Sequence, residues 1–457
     1  MNKYLGSISI LVLVFGTVFS VAIGGLVIVS LSQYTAANRT ESFERALTVA
    51  QAGAEYYRWH LAHAPDDFQD GTGAEGPYIH TFQDPYGNTE STFSLSVTPP
   101  AEGSTIVTIE SEGWLNAYPD IKRKVKARYG IPSLAKFSNL FNANVWFGQG
   151  ITVHGKIMSN GGIRMDGVND STVQSLKETY TCGSETGCSP TQTKPGVWGS
   201  GGPQELWEFP VPQVDFNSLI VDFSTMRTAA QNNGTYRGPS GSYGYHVTFN
   251  SDSTYTLRRV TNAYNRRGYS VENGCENLYQ QIQSQSTIGT YTIADAPIIF
   301  LEDDVWVDGV VNGKVTLVAA RFPINNYNEN IWITDNLTYV AKDGHSNLGL
   351  FAQNDIYFGL NIPTNFEVNG ALLAQKGHVI RHLYNWWGCS VYSNAVRNSL
   401  TFYGSLITNQ KSYWNWGTQP VSGFITRTMT YDPNLYFDPP PYFPSQGEYE
   451  FISWEEE

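Results

Sequence analysis

The segment VHGKIMSNGG (153–162) recurs in the sequence as VNGALLAQKG (368–377) and FYGSLITNQK (402–411). Each copy has an apolar residue two positions before a glycine, an aliphatic residue two positions after it, and an amide side chain five positions after it. A short strand that turns at glycine and recurs in this way is typical of a stacked β-solenoid. We therefore predict a mainly β domain over 133–457, folded as a right-handed parallel β-helix. The spacing between copies is irregular, which predicts an insertion around 169–290.

The aligned copies also predict which side chains face the interior of the stack. The aliphatic residues should lie one above another, namely Ile157, Leu372 and Leu406. The amides should form an inward ladder in which successive side chains hydrogen-bond to each other, namely Asn160, Gln375 and Asn409. The glycines do not follow the GxxxxGK[ST] or GxGxxG patterns of nucleotide-binding loops, so no nucleotide site is predicted here.

The start of the chain predicts a membrane anchor. Residues 8–31, ISILVLVFGTVFSVAIGGLVIVSL, carry no charge and are numerous enough to cross a bilayer as a helix. A cleaved secretory signal is the competing interpretation, but its apolar core would be shorter. We assign 1–33 to a single transmembrane helix. The positive charge of Lys3 places the short N-terminus in the cytoplasm and the bulk of the chain outside the membrane or at the cell surface.

Residues 34–132 are predicted to form a stalk helix followed by a β-meander. Small and apolar residues keep a helical period after the membrane span, and the first proline is Pro65. Span and stalk together predict a helix of about 55 residues, roughly 80 Å long. Two-residue alternation in 92–100, 104–115 and 121–130 predicts antiparallel strands whose apolar faces cover the stalk.

These N-terminal segments resemble a known family. ALTVAQAGAEYY (46–57), DPYGN (84–88), SEG (111–113) and the basic strand at 121–128 are similar to minor pilins and pilus-assembly proteins of the PilX type, and to pseudopilins. Segments of the C-terminal part resemble solenoid domains that bacteria fuse to pilin stems, namely 298–320, 348–355 and 431–444.

The resemblance implies a structural or adhesive role in a type IV pilus-like or secretion assembly, with other pilin-like subunits as partners. The sequence departs from the family's leader pattern at two positions. Ser7 follows Gly6 where the family has Phe or Met, and Leu11 stands where the family has Glu. Cleavage after Gly6 and Glu-dependent insertion into a filament are therefore not implied.

Composition sets limits on function. Charged residues make up 15% of the chain, whereas glycine (43), tyrosine (28) and tryptophan (12) are abundant, as in β-rich extracellular proteins. The formal net charge of −13 argues against a nucleic-acid partner, because binding a phosphate backbone requires a basic face.

The four cysteines all lie in the part predicted to be outside the membrane, where disulfides persist. Cys182 and Cys188 flank a short loop that can close as a ring, which leaves Cys275 and Cys389 as the second candidate pair. No CxxC spacing supports a zinc site. Free thiols are the alternative.

The segment LEDDVWVDG is the most enzyme-like feature. Asp303, Asp304 and Asp308 are candidate ligands for Ca²⁺, and two suitably placed acids suffice for glycoside hydrolysis. Because strand alternation directs neighbouring acids to opposite faces, we predict neither an enzyme nor an obligate cofactor. The alternative is a cell-tethered β-helix that binds or acts on polysaccharide. His378 and His382, beside Trp386 and Trp387, are candidates for an aromatic surface that grips sugars.

Overall fold

The computed structural model describes residues 5–83, 89–101, 104–216, 223–417, 419–445 and 447–456. The DPYGN motif at 84–88 lies outside the described residues. The chain forms two compact units: unit 1 contains Met1–Pro100, Ile106–Gly130 and Glu448–Glu457, and unit 2 contains Ala101–Thr105 and Ile131–Gly447.

Unit 1 is built on one long helix, α1 (Leu5–His63). The apolar side chains of its first half are exposed on all sides, as those of Leu13 and Phe19 show at 68% and 69%. Within the described residues, α1 is the helix that is long and apolar enough to span a membrane. The long N-terminal helix of the predicted fold class is therefore present.

The second half of α1 packs on an antiparallel sheet. Its strands are β1 (Tyr78–Gln83), β2 (Thr89–Thr98), β3 (Ile106–Leu115), β4 (Tyr118–Gly130) and the C-terminal strand (Glu450–Glu456), in that order across the sheet. The helix contributes a buried stripe at helical spacing, namely Ala46, Ala50, Ala54, Tyr57 and Leu61. The sheet contributes alternate residues such as Leu95, Ile109 and Val125, all fully buried.

The predicted meander corresponds to β2, β3 and β4. Strand β1 is an addition to the prediction, and the C-terminal strand corrects it, because the predicted solenoid domain at 133–457 included that strand. In the structure the C-terminal strand pairs with β4 instead. Local alternation identifies a strand but not its partner, and here more than 300 residues of the chain, Ile131–Gly447, separate the two strands.

Unit 2 begins with short strands. They are β5 (Asn139–Phe141), β6 (Val145–Phe147), β7 (Ile151–His154), β8 (Ile157–Ser159), β9 (Ile163–Met165), β10 (Val168–Asn169), β11 (Val173–Ser175), β12 (Thr179–Cys182), β13 (Gln192–Pro195), β14 (Val197–Trp198) and β15 (Trp207–Glu208). The next elements are α2 (Phe223–Asn233), β16 (Thr235–Arg237), β17 (Gly244–Asn250), β18 (Thr254–Ser270), β19 (Gly274–Thr292), β20 (Ile298–Leu301), β21 (Val305–Val311), β22 (Lys314–Ala319), β23 (Ile331–Tyr339), β24 (Asn347–Ala352) and β25 (Ile356–Phe358). The last are β26 (Asn365–Ala374), β27 (Val379–Ile380), β28 (Asn385–Trp386), β29 (Ser390–Val391), β30 (Val396–Thr408) and β31 (Gly423–Thr430).

Parallel pairs form three ladders along the described part of unit 2. Ladder A runs through β20, β22, β24, the second halves of β26 and β30, then β5, β8 and β11. Ladder B runs through β17, β21, β23, β25 and β27, and reappears in β6, β9 and β14. Ladder C runs through the first halves of β26 and β30, then β31, β7 and β10. One passage of the chain through A, B and C constitutes a rung.

The register of the stack follows the sequence repeat. Leu372 pairs with Leu406, and Leu406 is joined to Ile157 through Asn139, which lies between them in ladder A. All three aliphatic side chains are buried, as predicted. The parallel stacking that a solenoid requires is present, and its right-handed coil stays a prediction.

The insertion predicted around 169–290 is smaller in the structure than predicted. Much of that range belongs to the stack, because β10, β11, β14 and β15 pair in parallel with neighbouring rungs. The antiparallel pairs β12–β13 and β18–β19 are the parts that leave it. Rungs of two or three residues without the glycine repeat carry too little pattern to be recognised as strands.

The repeated glycine has a conformational role in the stack. Gly370 and Gly404 are neighbours in adjacent rungs and have φ angles of +151° and +145°. A Cβ atom on Gly404 would lie 1.9 Å from the carbonyl oxygen of Gly370, which is main chain and has little freedom to move. Both the dihedral angle and the close approach therefore require glycine.

We expect Gly404→Ala to destabilise unit 2 by about 1–3 kcal/mol, because the new methyl group clashes with main chain at a left-handed residue. Gly148→Ala is the matched control, since a Cβ there meets nothing within 4 Å. Urea unfolding followed by tryptophan fluorescence measures both. Equal midpoints for the two variants would contradict the pairing of Gly404 with Gly370.

Candidate functional site

The acidic run near 302–308 does not form a shared carboxylate site. Asp303 Oδ2 accepts a hydrogen bond from the main-chain N–H of Ser240 at 2.8 Å. Asp308 Oδ2 lies 2.8 Å from Nε2 of His246. Asp304 takes a third set of partners, so each predicted ligand has its own hydrogen bonds. Within the described residues, no group of three His, Cys, Asp or Glu side chains is arranged to hold a metal ion.

Asp304 and Glu329 are the acids whose ionisation is most affected by this environment. Asp304 Oδ1 accepts hydrogen bonds from the main-chain N–H and the side-chain amide of Asn330, at 2.8 and 3.2 Å. Burial, reinforced by the charge of Asp303, raises the pKa of Asp304 to about 7, although the Asn330 hydrogen bonds oppose the shift. Burial and the charge of Asp304 likewise raise the pKa of Glu329 to about 7.

The raised pKa of Asp304 predicts a stability that falls with rising pH. The unfolded chain releases this proton near the ordinary aspartate value of 3.8, whereas the folded chain keeps it up to about 7. The folded state therefore binds more protons between these values, so the free energy of unfolding decreases as pH rises through this window.

We expect Asp304→Asn to remove part of this decrease, because an amide retains the Oδ1 acceptor and carries no charge. The melting temperature of the variant should exceed that of the wild type at pH 8 and approach it at pH 4. Asp335→Asn, at an exposed position, is the control and should keep the wild-type profile. Parallel pH profiles for Asp304→Asn and the wild type would show that Asp304 is ionised in the folded protein.

The amide ladder is present in part. Asn160 Nδ2 donates to Asn142 Oδ1, and Asn142 Nδ2 donates to Asn409 Oδ1, both at 2.9 Å. Gln375 does not join them: its Oε1 is buried without a hydrogen-bond partner, and Asn409 Nδ2 instead faces the carbonyl of Lys376 at 3.5 Å. Asn142 is exposed, so the row of amides lies at the end of strand ladder A and not in the interior of the stack. Asn142 was missed because its segment lacks the repeated glycine.

Only part of the predicted histidine and aromatic surface is exposed in the structure. His378 and His382 are buried, with 4% and 0% exposure, and the intervening Arg381 is buried as well. The Arg381 guanidinium donates to main-chain carbonyls, which gives it a role in fixing the loops around it. Trp386 and Trp387 remain at the surface, with 45% and 92% exposure.

A feature that sequence reasoning missed is an opening in ladder B. On one side, ladder B ends at the single parallel pair of Ile380 with Tyr413. On the other side it resumes at β6, which in the described sheets pairs with β9 alone. A cavity of about 410 Å³ lies between β6 and residues 411–417. Ladders A and C are closed at the same level, through β30–β5 and β31–β7.

The floor of this opening is the apolar core of the stack, and its walls carry charge. Buried hydrophobic side chains lie at the bottom, namely Phe141, Ile151, Leu406 and Met429. Lys411 and Arg427 line the cavity, and burial lowers the pKa of each. Arg427 Nη2 donates to the carbonyl of Gln149 at 2.7 Å, whereas its Nε is buried without a hydrogen-bond partner.

Arg164 and Asp166 form a neutral pair on the wall beside β6. Arg164 Nε donates to Asp166 Oδ2 at 2.8 Å, and its guanidinium lies over the Trp146 ring at 4.3 Å. Burial would raise the pKa of Asp166, but hydrogen bonds from Ser200 and Trp146 and the charge of Arg164 outweigh it and lower that pKa. The charge of Arg164 is thus balanced. Lys411 and Arg427 are the other cations on the walls, and the charges of Glu185 and Glu272 act on Lys411.

The first disulfide fastens a loop at the rim of the opening. Cys182 is bonded to Cys188, and the loop between them offers the Glu185 carbonyl to Lys411 and the Thr186 carbonyl to Arg164. The structure therefore contains the ring that the cysteine spacing suggested.

The second disulfide joins Cys275 of β19 to Cys389. The turn just before β19 carries Glu272, whose Oε2 accepts a hydrogen bond from the hydroxyl of Tyr413 on the opposite wall. Sequence signals for the opening were weak, because aromatic and basic residues near 146 and 411–414 become neighbours only through rung order.

Comparisons with known proteins find a likeness among solved structures. No family model matches the chain, and no curated protein matches it. Among solved structures, the chain is similar to the competence-associated pilin ComZ from Thermus thermophilus, at 16% sequence identity. The alignment covers 91% of this chain and 97% of that chain, with a TM-score of 0.29.

Proposed function

We propose that this chain is a membrane-anchored, pilin-like surface protein with a structural or adhesive role in a type IV pilus-like or secretion assembly. The observation that carries the proposal is the division of α1. Its first half exposes apolar side chains on every face, and its second half buries one stripe against an antiparallel sheet. A helix exposed in this way is stable only in lipid or among similar helices, which are the two environments of a pilin stem.

The short N-terminus is proposed to lie in the cytoplasm, with both units outside. Lys3 supports this orientation through the positive-inside rule. Two disulfides in unit 2 support an oxidising compartment for that unit. We further propose that the protein acts without catalysis, because the candidate acids Asp303, Asp304 and Asp308 have separate partners.

We expect the full chain to remain with membranes after carbonate extraction, whereas a chain lacking residues 1–33 should be soluble and keep both disulfides. The physical reason is the loss of the uncharged span at 8–31. Protease added to intact cells should degrade units 1 and 2 of the full chain. Recovery of the full chain in the soluble fraction would rule out the anchor, and protection from protease would reverse the proposed orientation.

Surface polysaccharide is the second candidate partner, and the exposure of Trp387 favours it. A tryptophan that is 92% exposed beside a second one that is 45% exposed offers ring faces on which sugars can stack. Replacing both Trp386 and Trp387 with alanine should weaken retention on immobilised cell-surface polysaccharide at least about five-fold. Trp59→Ala, at a 60% exposed position on α1, is the control. Equal retention of both variants would exclude this surface.

A further inference from the structure

The edge of β6 that faces the opening has free main-chain groups. The N–H of Val145 donates to the carbonyl of Gly162, and the N–H of Asp166 donates to the carbonyl of Phe147. Val145 and Phe147 therefore direct their main-chain groups toward β9. Because alternate residues of a parallel strand direct these groups to opposite sides, the N–H and C=O of Trp146 point into the opening. An open edge of this kind is a template for pairing with another strand.

The side chains around this edge favour a peptide over a sugar. The ring of Trp146 is covered by the Arg164 guanidinium at 4.3 Å, and Trp414 is 7% exposed with its Nε1 bound to the Val379 carbonyl. Trp414 therefore offers a sugar no free ring face, and one face of the Trp146 ring is already occupied. The floor is instead formed by aliphatic and aromatic side chains, such as Phe141 and Met429, which suit an apolar side chain.

The charge of the walls indicates what accompanies that apolar side chain. Lys411 and Arg427 are cations without a carboxylate partner at hydrogen-bonding distance in the described residues, in a chain whose formal net charge is −13. The Nε of Arg427 is a buried donor that lacks an acceptor. A carboxylate brought in by a ligand would pair with the guanidinium of Arg427, which lines the cavity and has no carboxylate partner of its own in the described residues.

We propose that the opening in ladder B binds an extended acidic segment of a partner protein. The segment pairs with the free edge of β6, places an apolar side chain over Phe141 and Met429, and directs a carboxylate to Lys411 or Arg427. The length of β6 limits the paired part to about three residues, roughly 10 Å of strand. This mode of recognition takes affinity from main-chain hydrogen bonds and specificity from pockets for alternate side chains. It concerns unit 2 alone and holds whether or not the chain enters a filament.

The test uses the full chain in lipid nanodiscs and a display library of random heptapeptides. Enriched peptides are synthesised with a fluorophore, and their Kd is measured by fluorescence anisotropy. We expect enrichment of an apolar residue with Asp or Glu within two positions of it. Lys411→Gln should weaken the binding of these peptides about five-fold or more. It should not weaken the binding of peptides in which the acid is replaced by its amide.

The pair Trp146→Pro and Trp146→Ala separates edge pairing from other effects. Proline removes the N–H that faces the opening and leaves the hydrogen bonds of Val145 and Phe147 to β9, whereas alanine keeps this N–H. Binding should be at least about five-fold weaker for proline than for alanine. If Trp146→Pro fails to fold, as judged by its melting temperature, the proposal is tested by the Lys411→Gln comparison instead.

Any of three results would overturn the proposal: a library without enriched peptides, enriched peptides that lack an acid, or equal peptide binding by the proline and alanine variants. Polygalacturonate oligosaccharides are tested in the same assay. Displacement of the bound peptides by these sugars at micromolar concentration would assign the opening to acidic polysaccharide instead.

Discussion

The parallel pairing of β30 with β5 and of β31 with β7 is the contact on which unit 2 depends. It stacks the C-terminal rung directly on the N-terminal rung, so that Leu406 lies next to Asn139 and Met429 next to Val153. One apolar core consequently continues across both halves of the unit. Without this contact each half would expose a full cross-section of hydrophobic side chains, because a rung buries its interior only against its neighbours.

The opening in ladder B follows from how this contact is made. Residues after Tyr413 use their hydrogen bonds locally: Asn415 bonds to both main-chain groups of Phe424, and Trp416 pairs with Ser422. The segment therefore closes as a loop and has no extended edge to offer β6. Ladders A and C hold the two rungs at strand spacing, while side B lacks the pairing partner that would complete it. The free edge of β6 is thus a consequence of local loop chemistry at the end of the stack.

The parts of this architecture that were predictable from sequence are those encoded by local periodicity. The uncharged span, the stripe on α1 and the alternation in β2–β4 each depend on residues a few positions apart. The glycine repeat even aligned Leu372 with Leu406 correctly, because the same turn conformation recurs in adjacent rungs. Ile157 was placed in the same column, but the intervening Asn139 was not, since its rung has no glycine at the equivalent place.

What could not be predicted is the order in which distant segments meet. A parallel rung specifies its register through glycine and aliphatic positions, yet any rung can accept any other with the same pattern. Pairing of the C-terminal strand with β4, and of β31 with β7, depends on the two ends of a long chain finding each other. The site in ladder B exists only because of such a pairing, so neither Trp146 nor Lys411 carries a signal that marks it alone. By contrast, Asp303 and Asp308 looked functional because they are close in sequence, and the fold gives them different partners.

The two disulfides bear on how this opening can stay ordered without a complete ladder. The ring from Cys182 to Cys188 spans a sequence separation of 6, and the bond from Cys275 to Cys389 spans 114. In the chain-entropy model the second bond removes more freedom from the unfolded chain, about 4–5 kcal/mol for a loop of roughly 100 residues. The first bond acts locally and fixes the carbonyl groups that Lys411 and Arg164 contact. Because the loop that carries these carbonyl groups is held covalently, this part of the rim is ordered before a ligand arrives, and the entropy cost of binding is correspondingly lower.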